Sequence, residues 1–254
     1  RRVLREELGM APSAKTAQLA ERIEANKLIP TLEPARALPP IRGYKLLEEI
    51  GVGTVGRVYR AFQPVIGREV AVKAILPRYA NLPDFIRRFE AEAQTVARLE
   101  HPHIVPLYDY WREPDNAYLV MRWLRGGSLA ARLSGGPLLP DEVATIIDQI
   151  AAALGAAHRK GIIHHDVKPA NILLDEDRNA YLSDFSLARS TNATELLSES
   201  SAPAAISPEQ LLLEDVTPLS DQYALAAVTY ELLTGQPAFA PDAPPDVLRR
   251  RILA

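Results

Sequence analysis

The sequence predicts an α+β fold in which strands come first and helices follow. Three observations carry that expectation. Between Tyr44 and Leu124, short runs such as 57–62 and 69–75 alternate with the period of two that marks strands. From Pro140 onward, apolar residues recur at helical spacing, and the run 222–234 is apolar nearly all round, as in a helix buried at a domain centre. Between these parts lies the stretch 162–174, in which His164, His165, Asp166, Lys168 and Asn171 sit between two apolar runs. Polar groups placed there are costly unless each has a partner.

Composition narrows the possibilities. At 254 residues, length suggests one or two domains, and a hydrophobic content of 47% is ample for a core. A formal charge of −3 gives no electrostatic case for nucleic acid or an anionic membrane. No apolar run approaches the roughly 20 residues needed to span a bilayer. Cysteine is absent, which removes disulfides, thiol nucleophiles and thiolate-held zinc and fits a cytoplasmic setting. The chain opens Arg-Arg without Met, so the true N-terminus is expected upstream.

Residues 1–27 read as helix, turn, helix. Val3, Leu4 and Leu8 precede Gly9, and Ser13 caps a second helix carrying Ala17, Leu19, Ala20 and Ile23. Two short helices cannot bury a face alone, so this reads as the end of something longer. The linker 28–42 holds four prolines, which fix φ and keep it semi-extended.

Gly51, Gly53 and Gly56 form a G-x-G-x-x-G run. A dinucleotide fold needs a helix straight after it. Here a strand follows, then a turn near Ile66 and Gly67 and the strand 69–75, so the glycine loop becomes a flap over phosphates. Lys73 lies in that second strand among apolar neighbours and needs an anion. The helix 84–99 offers one. Phe85, Phe89, Ala93, Val96 and Leu99 form its buried stripe, and Glu92 falls on that stripe while Glu90 does not.

His101-Pro-His103 reads as a turn rather than a metal site. Strands are expected over 104–110 and 117–124, with a hinge at 125–128. Pro140 starts a helix whose core face is Val143, Ile146, Ile147, Ile150, Leu154 and Ala157, with His158 structural and Gly161 ending it. A hairpin turns through 175–179. It mimics a calcium loop, but Ala180 and Ser186 stand where glycine and glutamate are required. Asp184 then places a second carboxylate 18 residues after Asp166. The Ser/Thr-rich run 190–201 reads as a mobile loop, Ser207-Pro208-Glu209 closes it, and Asp221 begins the apolar helix 222–234.

Phosphoryl transfer accounts for this set of groups. It needs an acceptor for the attacking hydroxyl's proton, a cation for the moving phosphate and an oxygen ligand for a metal. With every block in order from Tyr44, the sequence resembles the bacterial form of the eukaryotic-type Ser/Thr protein kinases. That resemblance implies a two-lobed fold, with a small antiparallel-sheet lobe at 43–124 and a mainly helical lobe at 125–254 whose last helices would lie beyond Ala254. It implies ATP and Mg²⁺ between the lobes and protein Ser/Thr hydroxyls as substrates. Asp166 would orient the hydroxyl, Lys168 would contact the γ-phosphate, and Asn171 and Asp184 would hold Mg²⁺. Lys73, held by Glu92, would reach the α- and β-phosphates. Ile50, Gly51, Gly53 and Gly56 would cover the nucleotide. Adenine would lie between Val58, Ala71 and Leu173, with the backbone of Arg122 and Leu124 at its edge and Met121 behind it.

Several positions depart from the family's pattern. His165 replaces the arginine that reads a phosphorylated loop, which implies activity without such a phosphate. Ser186 replaces the glycine after Asp-Phe. Ala202 and Ala205 replace the Thr and Tyr before Ser-Pro-Glu, and the arginine partner of Glu209 would fall past the end. These departures keep a nucleotide-binding pseudokinase or regulatory scaffold as the alternative. The string Leu-Arg-Glu-Glu-Leu-Gly-Met-Ala-Pro-Ser-Ala-Lys-Thr in 1–27 resembles the last helical pair of the bacterial transcriptional activator domain, which implies a DNA-binding domain upstream.

Overall fold

The computed structural model describes residues 41–53, 55–185, 205–212, 214–239 and 245–252, except the side chains of 84, 87, 88, 92, 245, 246, 248 and 249. All lie within one unit, Pro40–Ala254. The readings of 1–27, of the linker up to residue 40, of Ser186, of 190–201 and of Ala202 fall outside the described residues.

Five antiparallel strands form the small lobe: β1 (Lys45–Val52), β2 (Gly56–Gln63), β3 (Arg68–Ile75), β4 (Leu107–Glu113) and β5 (Asn116–Arg122), in the order β1-β2-β3-β5-β4. Between β3 and β4 come α1 (Pro77–Ala80) and α2 (Pro83–Ala97). Each begins on proline, whose missing N–H would have had no intrahelical partner there. The stripe of α2 packs as its periodicity predicts. Phe85, Phe89 and Ala93 are buried against Ile75, Ala117 and Leu119 of the sheet.

Strand β4 begins at Leu107, not at Ile104. The preceding residues are captured by the large lobe, where Ile104 bridges to Leu182 and Val105 N–H donates to Leu182 O at 2.9 Å. His101-Pro-His103 is a turn, with His103 Nδ1 2.9 Å from Ala180 O.

The large lobe carries a second sheet of β6 (Gly127–Ser128), β7 (Ile172–Leu174) and β8 (Ala180–Leu182). Its helices are α3 (Leu129–Leu133), α4 (Pro140–His158), α5 (Pro208–Leu212), α6 (Pro218–Thr234) and α7 (Pro245–Ile252). β6 exists because the hinge comes very close to β7. Gly126 N–H donates to Leu174 O, and a Cβ on Gly126 would lie 2.5 Å from Asp175 O, so only glycine fits.

Val143, Ile146, Ile150, Leu154 and Ala157 of α4 share one core with Ala224, Leu225, Val228 and Leu232 of α6. α6 starts earlier than expected, at Pro218, because Thr217 and Ser220 form a reciprocal capping box. It is also not buried all round: Leu219, Tyr230 and Leu233 are exposed.

Candidate active site

The polar loop after α4 finds its partners on two later helices. Asp221, in the first turn of α6, is 1% exposed. Its carboxylate accepts the backbone N–H of His164 (2.8 Å) and His165 (2.9 Å) and lies 2.7 Å from His158 Nε2. Gln210 of α5 donates through Nε2 to His165 O at 3.0 Å. His165 itself sits at φ 67°, a left-handed conformation that the surrounding bonds hold in place. Neither Asp221 nor Gln210 is among the residues that the motifs single out. The available signal was a buried-face acid in the first turn of a largely apolar helix.

His164 is fully buried, edge-on to Phe185 with ring centroids 4.7 Å apart. Its Nδ1 accepts Asp166 N–H (3.2 Å) and its Nε2 lies 2.8 Å from Ser183 O. Together these bonds select the neutral ring with its proton on Nε2. Burial pushes its pKa down, and the opposing pull of the Ser183 carbonyl and nearby carboxylates is weaker.

Three expected residues meet at one carboxylate. Asp166 Oδ2 accepts from Lys168 Nζ (2.9 Å) and Asn171 Nδ2 (3.0 Å), and Nδ2 also donates to Asp166 O (2.8 Å). Asn171 O in turn accepts from Ser183 N–H and Ser183 Oγ, each at 2.9 Å. Just after β8, Asp184 takes a left-handed φ of 58° and places Oδ1 2.6 Å from Lys73 Nζ. Lys73 is thus paired with Asp184. Glu92 lies on α2, and its side chain is outside the described residues.

Strand register places the residues expected to line a nucleotide. Val58 faces Lys73 across β2–β3, Ala71 faces Met121 across β3–β5, and Ala71 lies two residues from Lys73. Period two therefore puts all four on one face of the sheet. Gly51 faces Val58, and Ile50 precedes it in β1. Met121, Leu124 and Leu173 pack together with Val105 and Tyr181. Arg122 donates its backbone N–H to Pro106 O (3.1 Å). The glycine loop is closed by Gly53 N–H to Gly56 O (2.8 Å). Gly56 has a packing reason of its own, since a Cβ there would lie 2.4 Å from Ala74 O.

Glu209 accepts the Ser220 hydroxyl. Burial pushes its pKa up, but hydrogen bonds from Ser220, the backbone and Ser207 outweigh that and hold it below the usual glutamate value. Ala205 is partly buried against the large-lobe core.

The donor chemistry suits Mg²⁺. Asn171 turns its nitrogen to Asp166, which puts Oδ1 on the other edge of the amide, and Asp184 adds a carboxylate. A hard cation takes such oxygens and keeps waters and phosphate oxygens for the rest of its shell.

A strand-rich lobe followed by a helical lobe, with a Lys–Asp pair and an Asp–Lys–Asn loop, defines the protein kinase fold. The chain belongs to the protein kinase family, and its residues 44–252 match the protein kinase domain. It is 40% identical over 200 residues to the serine/threonine-protein kinase PrkC of Bacillus subtilis, covering 77% of this chain and 31% of PrkC. To the serine/threonine-protein kinase PknD of Mycobacterium tuberculosis it is 42% identical over 204 residues, covering 79% and 31%. The chain therefore spans about a third of the length of these relatives. A crystal structure of the Mycobacterium tuberculosis PknI kinase domain superposes with a TM-score of 0.69 at 29% identity, covering 85% of this chain and 84% of that one. Among the described residues, no helix is long and apolar enough to cross a membrane.

Proposed function

We propose that this chain transfers the γ-phosphate of Mg·ATP to Ser or Thr hydroxyls of protein substrates. The observation that carries this reading is the meeting of Lys168 and Asn171 at Asp166 Oδ2, within 3.0 Å. One oxygen of Asp166 is thereby fixed, and the carboxylate is oriented as acceptor for the substrate hydroxyl's proton. Lys168 places a cation beside that acceptor, where charge develops on the moving phosphoryl group. Lys73 supplies the second cation, held by Asp184 at 2.6 Å. Asn171 and Asp184 would hold Mg²⁺, which when bound neutralises phosphate charge. The face carrying Val58, Ala71 and Met121 would receive the adenine.

His165 supports activity without a phosphorylated loop, since its backbone is held by Asp221 and Gln210. A cytoplasmic setting, and the role of residues 1–27 as the end of a transcriptional activator-like module with a DNA-binding domain upstream, rest on the sequence alone.

The test is transfer from Mg·ATP to a generic basic protein, with Asp166→Asn alongside. Loss of the proton acceptor lowers the rate by about 10²–10⁴-fold. Nucleotide binding without any Asp166-dependent transfer refutes the reading.

A further inference from the structure

We propose that the side chains of Arg122 and Arg125 clamp the small lobe to the β7–β8 hairpin, and that this clamp controls how fast nucleotide leaves the cleft. The inference rests on the reading that the cleft takes Mg·ATP. Its structural part stands independently of that.

Two straps cross between the lobes. The first is part-buried. Arg122, at the end of β5, places Nη1 3.4 Å from the Tyr181 hydroxyl, with its guanidinium carbon 5.2 Å from the ring centroid. Tyr181 on β8 donates that hydroxyl to Asp175 Oδ2 at 3.1 Å. The donors therefore run one way, from Arg122 to Tyr181 to Asp175. Asp175 is anchored in turn by Asp177 N–H (3.0 Å), Asn179 N–H (2.8 Å) and Asn179 Nδ2 (3.0 Å), so the strap ends on a rigid turn. The ring of Tyr181 adds apolar contact, packing with Leu124 and Val105.

The second strap is ionic and exposed. Arg125 Nη2 lies 2.9 Å from Glu69 Oε2 on β3, and its Nη1 lies 3.6 Å from Glu176 Oε1 on the hairpin. Glu69 also pairs with Arg60 Nη1 (3.1 Å), whose Nε lies 2.9 Å from Glu48 Oε1. Charges thus alternate from β1 across the sheet, over the hinge and onto the large lobe. Between the two straps, Gly126 N–H is bonded to Leu174 O.

Phosphoryl transfer uses none of these side chains. They hold the connection about which the lobes must swing apart, and the hairpin they grip leads directly into Asp184. Arg122, Tyr181 and Arg125 are therefore positioning residues. An exposed ion pair shifts an opening equilibrium by about two- to fivefold. A hydrogen bond to a charged group shifts it by about tenfold.

The experiment measures dissociation of a fluorescent ADP analogue with Mg²⁺ by stopped flow on the full chain. The variants are Tyr181→Phe, which keeps the ring, and Arg125→Gln. Each is expected to speed release by about two- to tenfold. Arg125→Gln also weakens the dependence of release on salt between roughly 50 and 500 mM KCl. Arg132→Gln, which breaks a pair with Glu142 inside the large lobe (3.6 Å), leaves release unchanged. Hydrogen exchange at the Gly126 and Gly127 amides gives a readout that needs no nucleotide, and it rises in both clamp variants. If the wild type binds no nucleotide, the proposed function fails while the exchange data still decide the clamp. Unchanged exchange at these amides, or unchanged release rates in folded variants, overturns it.

Discussion

Replacing Asp221 with alanine tests whether the polar loop after α4 is held from outside. The substitution leaves the N–H groups of His164 and His165, and the ring of His158, without the acceptor they share at 2.7–2.9 Å. The carboxylate is buried, so each orphaned donor costs about 1–3 kcal/mol. The two backbone donors together set the loss at about 2–6 kcal/mol, against a total stability of about 5–15 kcal/mol. With a urea slope of about 3 kcal/mol per molar, as suits a chain of this length, the unfolding midpoint falls by about 0.7–2 M. Trp111 and Trp123 provide the fluorescence signal. Asp221→Asn keeps one acceptor oxygen and falls in between. A shift under about 0.3 M at constant slope refutes the reasoning, because the donors would then have found other acceptors.

Gly56→Ala drives a methyl group into Ala74 O and costs about 1–3 kcal/mol in small-lobe stability, measured by the same melt. Ser220→Ala removes one half of the α6 capping box and the donor to Glu209, a loss of about 1–2 kcal/mol, and Glu209 then titrates nearer its usual range by NMR. The pH dependence of stability carries the mark of His164. Its pKa is depressed in the folded protein, so the unfolded chain binds the proton more readily. Stability is full above the unfolded value of 6.5 and is lost as pH falls below that toward the folded pKa. His164→Gln flattens that slope, and an equally steep profile in the variant counts against the neutral buried ring.

Where periodicity and packing agree, the sequence was legible. The stripes of α2 and α4 land in the core at the positions their spacing indicates, because burial of one helical face is a local pattern. The β2–β3 turn and the hairpin at 175–179 were legible for the same reason, through their turn residues. What escaped depends on contacts between distant segments. Strand β4 starts late because β8 competes for its first residues. β6 spans two residues and exists only where Gly126 lets the hinge approach Leu174. The early start of α6 had a local signal, Thr217 three residues before Ser220, that an apolar reading of the helix passed over. At the site, the resemblance grouped Asp166, Lys168, Asn171, Lys73 and Asp184, and helical spacing set Glu92 against Lys73. Which cation met which carboxylate followed only from the fold. Asp221 carries no motif at all, since its role is to accept from backbone, and every residue type but proline offers the same N–H.

His164 and Ser183 have a consequence for how this molecule can move. One imidazole is bonded at one edge to the Ser183 carbonyl, just before Asp184, and at the other to the amide of Asp166, while Ser183 grips Asn171 O twice. Asp166 and Asp184 are therefore spaced by a ring of fixed width rather than by the hinge. Swinging the lobes changes what reaches those two groups from above and leaves the gap between them constant.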